Sequence, residues 1–99
     1  MESQRETRRI PWPDDTVLAT TEFLDGVPDG VSHSFAPNGA LRQECNFQKG
    51  KLHGRFKIWW ENGNIQEQGQ YDSGHRVGRY EWFDRNGATL RVVEFPSVP

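Results

Sequence analysis

Hydrophobic, glycine and asparagine positions recur along this chain at an interval of 24 residues. The clearest series is aromatic and consists of Phe23, Phe47, Tyr71 and Phe95. Other series with the same spacing are Phe35, Trp59 and Phe83, then Asn38, Asn62 and Asn86, then the glycine series that begin at Gly26, Gly30 and Gly39. Gly69 is the one glycine outside these series. Self-similarity at a fixed period is typical of repeat architectures.

Each 24-residue unit predicts two short strands joined by turns. Asn-Gly at 38–39, 62–63 and 86–87 favours a type I′ hairpin turn with positive φ at both central residues, and segments 48–51 and 72–75 predict turns of the same kind. The runs between turns lack proline and are rich in aromatic and β-branched residues. We expect strands near 16–24, 30–36, 40–48, 54–60, 64–71, 78–84 and 88–95. No stretch has helical periodicity, so the sequence predicts an all-β fold, a single antiparallel meander sheet of about seven strands.

The period also predicts how the chain is organised. A half-repeat at 14–22 precedes three repeats at 23–46, 47–70 and 71–95, so the predicted repeat domain spans 14–95. Residues 1–13 show no period and include a proline-stiffened extended segment at 10–13. Residues 96–99 form a short tail.

The repeated pattern Phe/Tyr-x-x-Gly-x-x-x-Gly, followed by an aromatic residue and Asn-Gly-x-Leu/Ile, resembles the variant MORN repeat (membrane occupation and recognition nexus). The most similar stretch is 48–63, Gln-Lys-Gly-Lys-Leu-His-Gly-Arg-Phe-Lys-Ile-Trp-Trp-Glu-Asn-Gly. The resemblance implies a right-handed ladder of β-hairpins that forms one curved sheet and serves as a docking surface. It also implies a kinship with bacterial antitoxin and immunity proteins, because small stand-alone proteins of this variant resemble such partners of toxins.

Side chains alternate across a strand, so the sheet is expected to have two different faces. One face repeats from unit to unit and is assigned to packing between units; it contains Leu41, Cys45, Phe47, Ile65, Gly69 and Tyr71. The other face does not repeat, and its aromatic patch is typical of an interaction site. The predicted partner-binding residues are Phe56, Ile58, Trp60, Tyr80, Trp82, Arg42, Gln66 and Gln68. Two alternatives stay open: the N-terminal segment with Ile10 and Trp12 covers this face, or a second copy of the chain docks on it.

Composition and charge restrict the classes of partner and location. A hydrophobic content of 33% argues against a thick core, and an aromatic content of 12% argues against disorder. A net charge of −2 gives no attraction to nucleic acid or to an anionic membrane, so neither is an expected partner. The charged N-terminus lacks the apolar stretch of a secretory signal, and the chain has one cysteine, so we expect a cytoplasmic protein.

Candidate catalytic and metal-binding residues are few. His33, His53 and His75 are 20 and 22 residues apart, without the close spacing of a metal or catalytic motif. Cys45 is expected to be a buried, inert thiol. The basic residues of 49–57 are followed by interleaved acidic ones, which favours a mixed solvated surface. We therefore expect no enzymatic activity, no metal and no cofactor.

The sequence thus predicts a non-enzymatic, protein-binding repeat module, in its most specific form an antitoxin or immunity protein that neutralises a partner toxin. The first alternative is a structural or adaptor subunit of a larger assembly, for example of a homodimer. The second alternative is a module that binds anionic lipid.

Overall fold

A computed structural model describes residues 3–14 and 16–97, which form one antiparallel sheet with its strands in chain order. The eight strands are β1 (Arg5–Pro11), β2 (Val17–Leu24), β3 (Val27–Phe35), β4 (Leu41–Gln48), β5 (Lys51–Trp59), β6 (Ile65–Asp72), β7 (His75–Phe83) and β8 (Thr89–Phe95). The sheet is a single layer, 47 × 42 × 13 Å, and no helix occurs in the described ranges. The predicted all-β meander is confirmed.

Strand pairing repeats at the 24-residue interval seen in the sequence. Equivalent pairs in the four hairpins are Arg8 with Thr21, Ser32 with Cys45, Phe56 with Gly69, and Tyr80 with Val93. The hairpins β1–β2, β3–β4, β5–β6 and β7–β8 therefore share one register. Packing of each unit on its neighbours is the usual source of stability in repeat proteins.

Strand β1 is an addition to the strands predicted from the sequence. It is rich in charged residues, and all of its residues are exposed. It nevertheless pairs with β2 in the shared register. The alternative in which the N-terminal segment covers a face is therefore wrong, because β1 lies edge to edge with β2. The indole Nε1 of Trp12 donates a hydrogen bond to the Phe35 carbonyl, 3.3 Å away. The predicted repeat-domain limits of 14–95 stay a prediction.

Two kinds of turn alternate along the sheet. Positive φ at both central residues, as in a type I′ turn, occurs at Asp25-Gly26, Lys49-Gly50 and Ser73-Gly74. The Asn-Gly turns have positive φ only at the glycine, so the type I′ prediction is wrong for them. In the first, the Gly39 amide donates to the Ala36 carbonyl (2.8 Å) and Asn38 Oδ1 accepts from the Ala40 amide (2.9 Å). This is a type I turn followed by a left-handed glycine, and asparagine acts through its side-chain oxygen.

The two-residue turns decide which side chains share a face. Gln48 pairs with Lys51 across such a turn, so an even-numbered position faces an odd-numbered one. Further along the same hairpin, Cys45 pairs with Phe56. Directly opposed residues of an antiparallel pair lie on the same face. Side chains that share a face are therefore odd-numbered in one strand and even-numbered in the next.

The predicted division into two faces is wrong for this reason. The prediction groups even-numbered residues of all strands together and so separates Phe56 and Tyr80 from Cys45. The structure places these three on one face, where they form the buried core. We call this surface the cluster face and the opposite surface the polar face.

The core occupies only the C-terminal part of the cluster face. The side chains that pack around its three buried members are Phe47, Leu52, Ile58, Tyr71, Trp82 and Phe95. Ring centroids are 4.8 Å apart for Tyr80 and Trp82 and 5.2 Å apart for Phe56 and Tyr71. At the positions equivalent to Phe56 and Tyr80, the same face carries the polar side chains of Ser32 and Arg8 in the N-terminal strands.

Candidate protein-binding face

The cluster face brings together four of the eight predicted binding residues. Phe56 and Tyr80 are 8% and 0% exposed, so they form the interior of the cluster and offer little area to a partner. Ile58 and Trp82 are half-buried and form its outer surface. Of these four residues, only Ile58 and Trp82 are positioned for contact.

The other four predicted residues lie elsewhere. Trp60 follows the end of β5, and its Nε1 donates to the Phe83 carbonyl at 3.1 Å. Arg42 donates from Nε to the Trp59 carbonyl at 3.0 Å. Gln68 lies on the polar face and donates to Glu81 Oε1 at 3.2 Å, and strand alternation places Gln66 on the same side. The binding role of all eight residues stays a prediction, but they do not share one surface.

A polar network sits at the centre of the cluster. The Tyr80 hydroxyl donates a hydrogen bond to Glu67 Oε2 at 2.6 Å. Burial raises the pKa of Tyr80, and the bond to Glu67 raises it further, so the hydroxyl stays protonated as a donor. No buried side-chain nitrogen or oxygen of the described residues lacks a hydrogen-bond partner. The apolar cluster therefore contains one carboxylate, that of Glu67, which accepts a hydrogen bond from the Tyr80 hydroxyl.

Two arginines that the sequence analysis did not select border the cluster. The Arg76 guanidinium carbon lies 4.9 Å from the Tyr80 ring centroid and 5.7 Å from that of Trp82. Arg91 lies 5.5 Å from the same Trp82 ring. Distances of this size are typical of cation–π contacts. Arg91 is found through the strand register, since it pairs with Trp82. Arg76 is found through alternation within β7, which places it on the same face as Tyr80 and Trp82.

A shallow depression adjoins the aromatic end of the cluster. Its volume is about 660 Å³, and Tyr71, Arg76 and Phe95 are among the residues that line it. It extends the apolar surface to the Pro96 end of the sheet. Together the cluster and the depression present rings, aliphatic groups and guanidinium groups on one side of the sheet.

The polar face has a mixed character. Its central row crosses all eight strands through Arg9, Thr20, His33, Glu44, Lys57, Gln68, Glu81 and Val92. His33 Nε2 lies 3.0 Å from Glu44 Oε2. Along this row positive and negative groups alternate with neutral ones.

Candidates for chemistry are scattered over the sheet. Cys45 is buried, and burial raises the pKa of its thiol, which favours the unreactive form. His53 is half-buried beside a turn, and His75 is exposed. Within residues 3–14 and 16–97, no group of three or more His, Cys, Asp and Glu side chains is arranged to hold a metal ion.

The described part of the chain contains no helix that is long and apolar enough to cross a membrane.

The fold defines a class, an open single-layer array of tandem β-hairpins. Within it, residues 28–49 and 52–73 match the family model described as MORN repeat variant. Two adjacent segments of the chain are therefore similar to MORN repeat variants, which are in general non-catalytic binding modules. The matched segments cover all but the first residue of each of the hairpins β3–β4 and β5–β6, and β1–β2 and β7–β8 repeat the same register on either side. No curated protein and no solved structure matches the chain.

Proposed function

We propose that this chain binds another protein through the cluster face of β4–β8. The observation that carries the proposal is an aromatic cluster on one side of a single-layer sheet. The sheet is 13 Å thick, and each strand is hydrogen-bonded only to its chain neighbours, so no second layer of the described chain covers the cluster. An apolar patch of this kind on a folded protein is typical of an interaction surface.

The chemistry of the face favours a protein as its partner. Its accessible groups are the indole of Trp82, the side chain of Ile58, and two arginines. Aromatic residues and arginine are the residue types that dominate binding energy at protein interfaces. Small-molecule sites are concave and enclose most of their ligand, whereas this face is broad and open.

In its more specific form, the proposal is that the partner is a toxin and that this chain is its antitoxin or immunity protein. It would act in the cytoplasm by masking the active site of the toxin or blocking its substrate channel. The support for this form is the resemblance of the repeat to the variant found in such proteins. Co-expression with a toxin encoded by a neighbouring reading frame tests it, with restored growth as the expected result.

A pair of matched variants tests the face itself. Ile58→Lys places a charge on the outer surface of the cluster, and we expect at least a tenfold loss of affinity for the partner in calorimetry. Lys57→Ala changes the adjacent residue on the polar face of the same strand and should leave affinity unchanged. Circular dichroism of both variants is the control for correct folding. Wild-type affinity for Ile58→Lys, or a loss for Lys57→Ala alone, would contradict the proposal.

Light scattering at two concentrations addresses the alternative of a structural, homodimeric subunit. We expect a monomer in the absence of the partner. A stable dimer that Ile58→Lys disrupts would assign the cluster face to a second copy of the chain.

A further inference from the structure

We infer that the protein bound by the cluster face presents an acidic segment, whose carboxylates reach Arg76 and Arg91 and whose apolar side chains lie on the rings between them. This inference rests on the proposed function and names the chemistry of the partner.

The charges on the cluster face carry the argument. The strand residues that bring charge to this face are Glu6, Arg8, Glu67, Arg76 and Arg91. Glu6 is neutralised by Arg8, with a 2.8 Å ion pair. Glu67 accepts the hydrogen bond from the Tyr80 hydroxyl, but it keeps its negative charge, which acts on Arg76. The strand residues of this face thus carry three positive and two negative groups, and Arg76 and Arg91 are the cations among them that form no ion pair.

Both arginines contact aromatic rings rather than a carboxylate. Each is exposed, and neither forms an ion pair with a carboxylate of the described chain. The two guanidinium carbons lie 5.7 Å and 5.5 Å from the Trp82 ring centroid. A guanidinium that rests against a ring uses its planar face for that contact and keeps its N–H edge for hydrogen bonds.

This arrangement matches a carboxylate better than other ligands. The N–H edge of a guanidinium fits a carboxylate in a bidentate geometry, and contact with a ring reduces the side-chain freedom that binding would otherwise remove. Both cations lie near the ring of Trp82, and Trp82 is next to Ile58 and Glu67 in its cross-strand row. A complementary partner therefore combines aspartate or glutamate with aromatic or aliphatic side chains.

An anionic membrane fits these observations less well. Attraction to an anionic surface grows by about 1 kcal/mol for each basic residue near it and typically uses clusters of four to eight. This face offers two unpaired arginines, and the whole chain carries a net charge of −2. Only a ligand that makes close contacts with the rings and arginines together gains from this geometry.

Selection from a displayed library of random 12-residue peptides tests the inference even while the partner is unidentified. We expect the wild-type protein to enrich peptides that combine acidic and aromatic residues. Arg76→Gln with Arg91→Gln should lose the acidic enrichment and bind the best wild-type peptide roughly tenfold more weakly. The matched control, Arg55→Gln with Lys57→Gln, removes two charges from the polar face and should leave the enrichment unchanged.

Several outcomes would overturn the inference. Enrichment of basic or neutral peptides, or the same acidic enrichment in the Arg76→Gln, Arg91→Gln protein, would show that these arginines do not select the partner. Binding to vesicles that contain anionic phospholipid, without binding to acidic peptides, would assign the arginines to a lipid surface. Arg91→Gln alone, on the edge strand β8, repeats the test with the smallest change to the core.

Failure of the proposed function looks different. If Ile58→Gln, which removes the apolar contact without adding a charge, binds the selected acidic peptides as tightly as the wild-type protein, the cluster face is not the binding surface. If Ile58→Gln abolishes binding and the arginine variants do not alter it, the face is correct and the acidic chemistry is wrong.

Discussion

Replacing Gly69 with alanine tests how the core of this thin sheet is built. Gly69 lies outside the 24-residue glycine series and, unlike the turn glycines, has no positive φ. A Cβ added at this position would lie 2.0 Å from Cδ2 and 2.5 Å from Cε2 of Tyr80. Carbon atoms pack at about 3.5–4.0 Å, so the Tyr80 ring must move. It is fully buried, and its hydroxyl is held by Glu67.

The magnitude follows from three effects. Overpacking a core costs about 1–3 kcal/mol. Displacing the ring also weakens the hydrogen bond from Tyr80 to Glu67, and a bond to a charged group contributes about 1.5–3 kcal/mol. Alanine recovers about 0.5–1 kcal/mol, because glycine is unfavourable within a strand. Gly69→Ala should therefore lower the free energy of unfolding by about 2–5 kcal/mol, with a decrease in Tm of roughly 8 °C or more.

Urea unfolding followed by circular dichroism and tryptophan fluorescence measures this effect. Gln70→Ala is the control, since Gln70 is exposed on the polar face of the same strand, and its effect should lie within about 0.5 kcal/mol of zero. Tyr80→Ala removes the ring that the added methyl group would meet. In that background Gly69→Ala should therefore be neutral or slightly stabilising. An equal loss of stability in both backgrounds would refute the assignment of this glycine to the Tyr80 ring.

Three further predictions concern single groups. Tyr80→Phe removes the hydroxyl that donates to Glu67 and should destabilise the protein by about 1–3 kcal/mol in urea unfolding; unchanged stability would contradict the network. Because burial raises the pKa of Cys45, its thiol should react with Ellman's reagent only when the protein unfolds, and rapid reaction of the native protein would be inconsistent with this. The hydrogen bond from the Lys49 amide lowers the pKa of Asp29 in the folded state. Its stabilising effect should be complete above the unfolded value of about 3.9 and lost as pH falls through the lower folded value. Asp29→Asn should flatten this acid dependence in unfolding titrations at pH 2–6, and an unchanged slope would count against the interaction.

The period of the sequence was sufficient to predict the architecture. Glycine and aromatic series at one spacing require equivalent backbone geometry in each unit, and the structure shows one register in all four hairpins. The repeat pattern does not predict strand β1, because Arg5–Pro11 carries neither the glycine nor the aromatic residues of the other units. Backbone pairing with β2 holds it in place, together with side-chain contacts such as those of Arg8 with the Phe23 ring and Arg5 with Asp29.

The composition of each face could not be derived by alternation alone. Within one strand, alternation divides the side chains between the two faces of the sheet. Which of these side chains share a face with those of the next strand depends on the number of residues in the turn between the strands. The positive φ of Lys49 and Gly50 identifies a two-residue turn, and this geometry places Phe56 beside Cys45. Arg91 was missed for the same reason, because it joins the aromatic cluster only through cross-strand pairing with Trp82. Arg76 shares strand β7 and its alternation with Tyr80 and Trp82, so the strand pattern alone could have placed it beside them.

The single-layer construction has a consequence for motion. Each strand is hydrogen-bonded only to the strands next to it in the chain, so opening at one end need not disturb the other. The members of the buried apolar cluster all lie in β4–β8, and none of them comes from β1–β3. The sheet can therefore fray at its N-terminal border while the aromatic half keeps its shape.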